Sequence, residues 1–112
     1  GILFHAYGGS SDMVRELVAF NGYFSFGPAI LASRSRRWRQ ACVAVPEDRL
    51  LIETDAPDGL PKGESYVRGD GSTILRDVAA AVARVRGCAV AHVEQVTWDN
   101  GCRLFPAGDG TA

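Results

Sequence analysis

The chain has 112 residues and a mass of 12.0 kDa, with 12 Lys+Arg against 13 Asp+Glu, so its formal charge is −1. With 46% hydrophobic and 22% charged residues, its composition is that of an ordinary globular fold, which excludes disorder and collagen-like structure. No apolar run approaches the roughly 18 to 20 residues of a membrane span, and no charged stretch leads into an apolar one to make a signal peptide. A soluble, cytoplasmic protein with no membrane partner is expected, and any binding to nucleic acid has to come from a local patch. The cysteines, Cys42, Cys88 and Cys102, are odd in number and form no C-x-x-C pair, which argues for a reduced compartment and against a thiolate zinc site.

Gly1 opens directly into the apolar Ile2-Leu3-Phe4, and the chain is read as the C-terminal portion of a longer protein. Ile2 to Tyr7 predicts a buried strand stopped by Gly8-Gly9-Ser10. A helix follows: Ser10, Ser11 and Asp12 offer N-caps, Met13, Val14, Leu17, Val18 and Phe20 make an apolar face, and Asn21-Gly22 supplies a left-handed stop. Tyr23 to Phe26 predicts a second strand, broken by Gly27-Pro28. The next helix carries Trp38, Ala41, Cys42 and Val45 on one face and ends at Pro46. Arg49 to Thr54 predicts a third strand, whose Leu50-Leu51-Ile52 is too apolar for a one-sided sheet and should be covered on both faces. After a loop from Asp55 to about Gly71, Leu75, Val78, Val82 and Val85 form a helical stripe closed by Gly87. A last helix runs from about Ala89 to Leu104.

Strand and helix in alternation imply parallel strands joined by right-handed crossovers. Two α/β architectures satisfy this, a small open doubly wound sheet and the tail of an eight-stranded barrel, which needs about 250 residues. In both, ligands collect at the C-terminal ends of the strands. His5 ends the first strand and, by the period of two, should share a face with Leu3 and Tyr7. Asp55 ends the third strand on the face of Leu51 and Glu53. An imidazole and a carboxylate at neighbouring strand mouths form a mixed N/O donor pair suited to Zn²⁺, Mg²⁺ or Mn²⁺, although two ligands alone do not fix a metal tightly.

The stretches Phe4-His5-Ala6-Tyr7-Gly8-Gly9-Ser10, Gly22-Tyr23-Phe24-Ser25-Phe26-Gly27, Pro46-Glu47-Asp48-Arg49-Leu50-Leu51-Ile52-Glu53-Thr54-Asp55-Ala56-Pro57 and Asn100-Gly101-Cys102-Arg103-Leu104-Phe105 occur in this order. Together they resemble the C-terminal part of TatD-family metal-dependent hydrolases. The resemblance implies that residues 1–112 are about three βα units plus closing helices of one TIM-type (β/α)8 barrel domain. It also implies hydrolysis of phosphodiesters in DNA, or of other esters, with divalent metals, two in the full-length protein. The family's ligands are an N-terminal His-x-His, a Glu, two later His and a terminal Asp. His5 resembles the last of those His ligands and Asp55 the terminal Asp, which is also the expected proton acceptor. The other ligands have no counterpart here, so the missing N-terminal half of the barrel would supply them and the piece alone should be inactive. Where the family often carries Arg-Asn-Glu-Pro, this chain has Arg68 followed by Gly69-Asp70-Gly71, which puts substrate identity in doubt.

Each candidate has a plainer reading. Asp55 before Ala-Pro also fits an Asx turn. Glu53, one pleat deeper, needs a partner if buried and serves either as a support to the site or in a structural ion pair. Ser25 and Arg68 are weaker candidates for contact with substrate. Arg34, Arg36, Arg37 and Arg39 around Trp38 fit a phosphate grip or an ordinary solvated helix face. Gly8-Gly9-Ser10 fits an anion turn or a purely conformational one, and His92 reads as structural. A rival to the whole assignment is a non-catalytic α/β module that binds a ligand or partner. A lesser one is a hydrolase of C–N or carboxylic ester bonds.

Overall fold

The computed structural model describes residues 1–53 and 71–105. Their order is β1 (Ile2–Phe4), α1 (Ser11–Val18), β2 (Gly22–Phe26), α2 (Arg36–Ala44), β3 (Leu50–Ile52), α3 (Gly71–Arg86) and α4 (Val90–Leu104), with 3₁₀ turns at Pro28–Leu31 and Glu47–Arg49. The strands form a parallel sheet in the order β1-β2-β3, with Phe4 beside Phe24, and Phe24 beside Leu50. All three chains therefore leave the sheet at the same end, where His5, Gly27 and Glu53 follow the last strand residues.

Local chemistry sets the boundaries. Ser10 caps α1, its hydroxyl accepting from Met13 N at 3.2 Å, and Asn21 takes the left-handed conformation (φ 63°) that ends the turn after α1. Gly22 is required by close approach, since a Cβ there would lie 2.8 Å from the Leu17 carbonyl oxygen. Ser35 caps α2 through Arg37 N at 3.0 Å. The far end of α2 is closed by Arg86, whose guanidinium donates to the carbonyls of Cys42 (2.6 Å) and Val45 (2.7 Å).

Period two divides β2 cleanly, with both faces buried. Phe24 and Phe26 enter the helix-covered core with Leu50, Val14, Ala41, Val78 and Val82, whereas Tyr23 and Ser25 lie on the opposite face with Leu51. Leu50 and Leu51 are buried, as their run of apolar residues requires. No helix among the described residues is long and apolar enough to cross a membrane.

All three strands differ at their ends from the sequence expectation: β2 begins one residue early, at Gly22, β3 stops at Ile52, and β1, expected to be buried, is only partly so, with Ile2 exposed. β1 stops at Phe4 rather than Tyr7, because Ala6 adopts φ 48° and turns the chain out of extended geometry. The alternation past Phe4 is thereby broken. Tyr7 does not share the face of His5 but packs edge-on against Phe24, 5.1 Å between ring centroids, in the helix-side core. β3 begins at Leu50, Arg49 being the last residue of a 3₁₀ turn.

The terminal Asn-x-x-Arg motif of α4 holds that turn in place. Asn100 is buried, and its side-chain amide donates to the carbonyls of Glu47 and Leu50, both at 2.8 Å. Arg103 donates to Asn100 Oδ1 and, at 3.3 Å, to the Asp48 carbonyl. His92 pairs with Glu47, consistent with a structural role. This motif therefore aligns the start of β3, and with it the strand that delivers Glu53.

Candidate active site

Three strand ends converge on one carboxylate. Glu53 leaves β3 on the face of Leu51, and its side chain, 13% exposed, extends over the end of β2. Gly27 makes this possible, because a Cβ there would stand 3.1 Å from Glu53 Cγ. A carboxylate in so dry a position has to be compensated by donors. The Ala6 backbone N–H donates to Glu53 Oε1 at 2.6 Å, and the Ser25 hydroxyl donates to the same oxygen. His5 Nδ1 lies 2.8 Å from Oε2. A carboxylate only accepts, so a proton on Nδ1 is the one this contact favours.

The left-handed Ala6 has a use here. Its N–H points at both Glu53 Oε1 and Ser25 Oγ (3.1 Å), and the next amide, Tyr7 N, donates to the Ser25 carbonyl at 2.8 Å. The turn after β1 is thus fastened to the end of β2, and His5 is placed at the mouth of the sheet with its side chain 57% exposed. Backbone strain of this kind persists only where surrounding bonds over-determine it.

The structure therefore brings together His5, Glu53 and Ser25. Glu53 is in ion-pair contact with His5 and accepts from Ser25 and from the Ala6 amide. Asp55 and Arg68 lie outside the described residues. The expected fourfold arginine run divides as its spacing suggests, with Trp38 buried and Arg34, Arg36, Arg37 and Arg39 exposed. Ser10 of the Gly8-Gly9-Ser10 turn is occupied as the α1 cap and also accepts from Tyr7 through its carbonyl, at 2.8 Å. Burial raises the Tyr7 phenol above its ordinary pKa, with Arg37 acting in the opposite direction.

Sequence reasoning missed the Ala6 amide and the part Gly27 plays. The first has no side-chain signal, and the second is legible only once β2 and β3 are in register.

A metal centre is partly represented. A ligating histidine characteristically donates its other ring nitrogen to a carboxylate, and His5 on Glu53 is that arrangement. Among the described residues no cluster of three or more His, Cys, Asp or Glu could enclose an ion by itself. The residues present thus fit one donor of a site completed by others.

Comparison with known proteins identifies the family. YcfH of Escherichia coli K12, described as an uncharacterized metal-dependent hydrolase, is 35% identical over 105 residues, covering 94% of this chain and 39% of that protein. Human deoxyribonuclease TATDN3 is 32% identical over 105 residues, 94% of this chain and 36% of its own length. The chain thus spans well under half of the curated relatives it matches. The crystal structure of YJJV, a TatD homolog from Escherichia coli K12, superposes with a TM-score of 0.77 at 25% identity over 92% of this chain and 39% of that one. The fold is accordingly α/β and corresponds to 39% of a TatD-type TIM barrel. Since the family model described as TatD related DNase matches residues 1–106, nearly the whole of the chain, this protein belongs to the TatD family.

Proposed function

We propose that this protein is a metal-dependent hydrolase of phosphodiesters, with DNA as substrate, and that residues 1–112 are the C-terminal part of a single barrel domain whose earlier strands supply the remaining metal ligands. The observation that carries the reading is the His5–Glu53 contact of 2.8 Å at the C-terminal mouth of a parallel sheet, where barrel enzymes build their sites. The similarity to relatives named as metal-dependent hydrolases and as deoxyribonucleases supports it further.

His5 binds through Nε2, held in tautomer and orientation by Glu53. Asp55, two residues beyond Glu53, is the second ligand and accepts the proton of the attacking water on a carboxylate oxygen. A bound divalent ion, Mg²⁺, Zn²⁺ or Mn²⁺ and two in the whole protein, supplies Lewis acidity toward a phosphoryl oxygen and toward water. Ser25 and the Ala6 amide donate to the Glu53 carboxylate and hold it in place. Arg68 contacts substrate. The 112-residue piece by itself does not hydrolyse.

The test is metal titration and hydrolysis with the protein at its natural length, using DNA, a carboxylic ester, a lactone and an amide in parallel. Metal-dependent cleavage of DNA, abolished by His5→Ala and by Asp55→Ala, is the expected result. Cleavage only of C–N or carboxylic ester bonds, or no metal binding at all, would overturn the assignment.

A further inference from the structure

The arginine run at the start of α2 is not used by the chemistry above, yet it dominates the local field. From Leu17 to Pro46 the chain holds four arginines and no acidic residue, although its net charge is −1. None of the four is ion-paired among the described residues.

Two cavities flank Trp38, the residue at the centre of the run. The first, about 270 Å³, begins at Ala6, next to His5, and is bordered by Tyr7, Ser33 and Arg37. The second, about 560 Å³, lies between the Pro28–Leu31 turn, α2 and α3, and is bordered by Arg39, Arg84 and Asp77. They share Ile30, Ser33 and Trp38, so they adjoin on either side of the indole, a path interrupted there. Arg37 and Arg39, immediately before and after Trp38, open to opposite sides of it. Arg39 is held with its guanidinium carbon 6.0 Å from the centre of the Trp38 ring. Trp38 is 8% exposed, and its Nε1–H is buried with no acceptor among the described residues.

We propose that this path is a track for the substrate strand, in which Arg37 takes the phosphate next to the one being cleaved, and Arg39 and Arg84 take phosphates farther from the metal. It rests on the phosphodiesterase reading and extends it from chemistry at one phosphate to recognition of several. The occupant is a single-stranded phosphodiester backbone. The path leads away from His5, its cations are spaced on both sides of the divider, and Asp77 offsets only one of the three charges. Backbone recognition of this kind is independent of base sequence and sensitive to salt, with a slope of about 0.7 per phosphate contact on single strands.

The experiment measures binding of a labelled single-stranded oligonucleotide by fluorescence anisotropy from 50 to 200 mM salt. It uses the protein at its natural length, in chelator so that nothing is cleaved. The triple variant Arg37→Ala, Arg39→Ala, Arg84→Ala should lose about 2 from the slope, so that wild type weakens roughly 20-fold more than the variant over that range. The paired variant Arg34→Ala, Arg36→Ala, whose arginines border neither cavity, should keep at least the greater part of the wild-type slope. Hydrolysis of a small phosphodiester too short to reach the track should be unchanged in the triple variant, and it reports on the parent reading separately. An unchanged slope in the triple variant, an equal loss in the Arg34/Arg36 pair, or no salt-dependent binding by wild type would each overturn the track.

Discussion

Glu53→Gln isolates the orienting role of one side chain. Glutamine has the shape of glutamate but one acceptor oxygen instead of two. If that oxygen stays where Oε1 receives Ala6 N–H and Ser25 O–H, the amide NH₂ faces His5 Nδ1 and two donors meet. The ring escapes only by moving its proton to Nε2, the nitrogen needed for the metal. If the amide turns over, its NH₂ confronts the Ala6 N–H instead. Either arrangement leaves one mismatched buried pair, a cost of about 1–3 kcal/mol. Loss of such a supporting carboxylate weakens metal binding or activity by about 10- to 100-fold, equivalent to about 1.4–2.7 kcal/mol. Calorimetric titration of Zn²⁺ or Mn²⁺ into the protein at its natural length, beside turnover of a small phosphodiester and a far-UV spectrum, measures the affinity loss with the fold intact. A variant that binds and turns over like wild type would refute the assignment of His5 as an oriented ligand.

Other substitutions report on the scaffold. Asn100→Ala removes the amide that satisfies the Glu47 and Leu50 carbonyls and should cost about 2–4 kcal/mol, seen in denaturant titration as a lower midpoint with the slope unchanged. Phe24→Ala empties the centre of the helix-side core and should cost about 3–5 kcal/mol by the same measurement. Cys42 is buried, and desolvation, opposed by Arg86, raises its thiol to about 11. At pH 8 an alkylating reagent should therefore label the exposed Cys102 and leave Cys42 unmodified by mass spectrometry. The folded state holds the Cys42 proton more tightly than the unfolded state, so this contribution to stability is intact below about pH 9 and declines as pH rises toward 11. Cys42→Ala should flatten that decline in thermal melts taken across the range.

The elements of the fold were legible because each is written in short-range patterns. The Trp38, Ala41, Cys42, Val45 stripe, the Ser10 cap, the Asn21-Gly22 stop and the apolar run Leu50 to Ile52 depend on neighbours a few positions away. All appear where that spacing puts them. The strand-helix alternation implied parallel strands, which the sheet has, but the first and third strands, expected to neighbour each other, are separated by β2. His5 and Glu53 were recognisable as polar residues just past strand ends, and Glu53 lies on the face of Leu51 as its spacing predicts, whereas the face expected for His5 together with Tyr7 is lost at Ala6. The end of β1 short of Tyr7 was not recognisable, since nothing in an alanine announces a positive φ. That conformation is imposed by bonds to Ser25 and Glu53, which are 19 and 47 residues away.

By itself, then, the sequence determined which segments are strands and helices, that the strands run parallel, and that an imidazole and a carboxylate, His5 and Glu53, follow two of them. These follow from periodicity, capping and the motif around Glu53. Only the tertiary structure decided that Glu53 lies over Gly27, bonds Ser25 and Ala6, and holds Nδ1 of His5. It also decided that Trp38 divides two cavities with arginines on either side. Those are contacts between strand ends and helix faces distant in the chain, and their geometry depends on sheet register and on which side chains leave room for others.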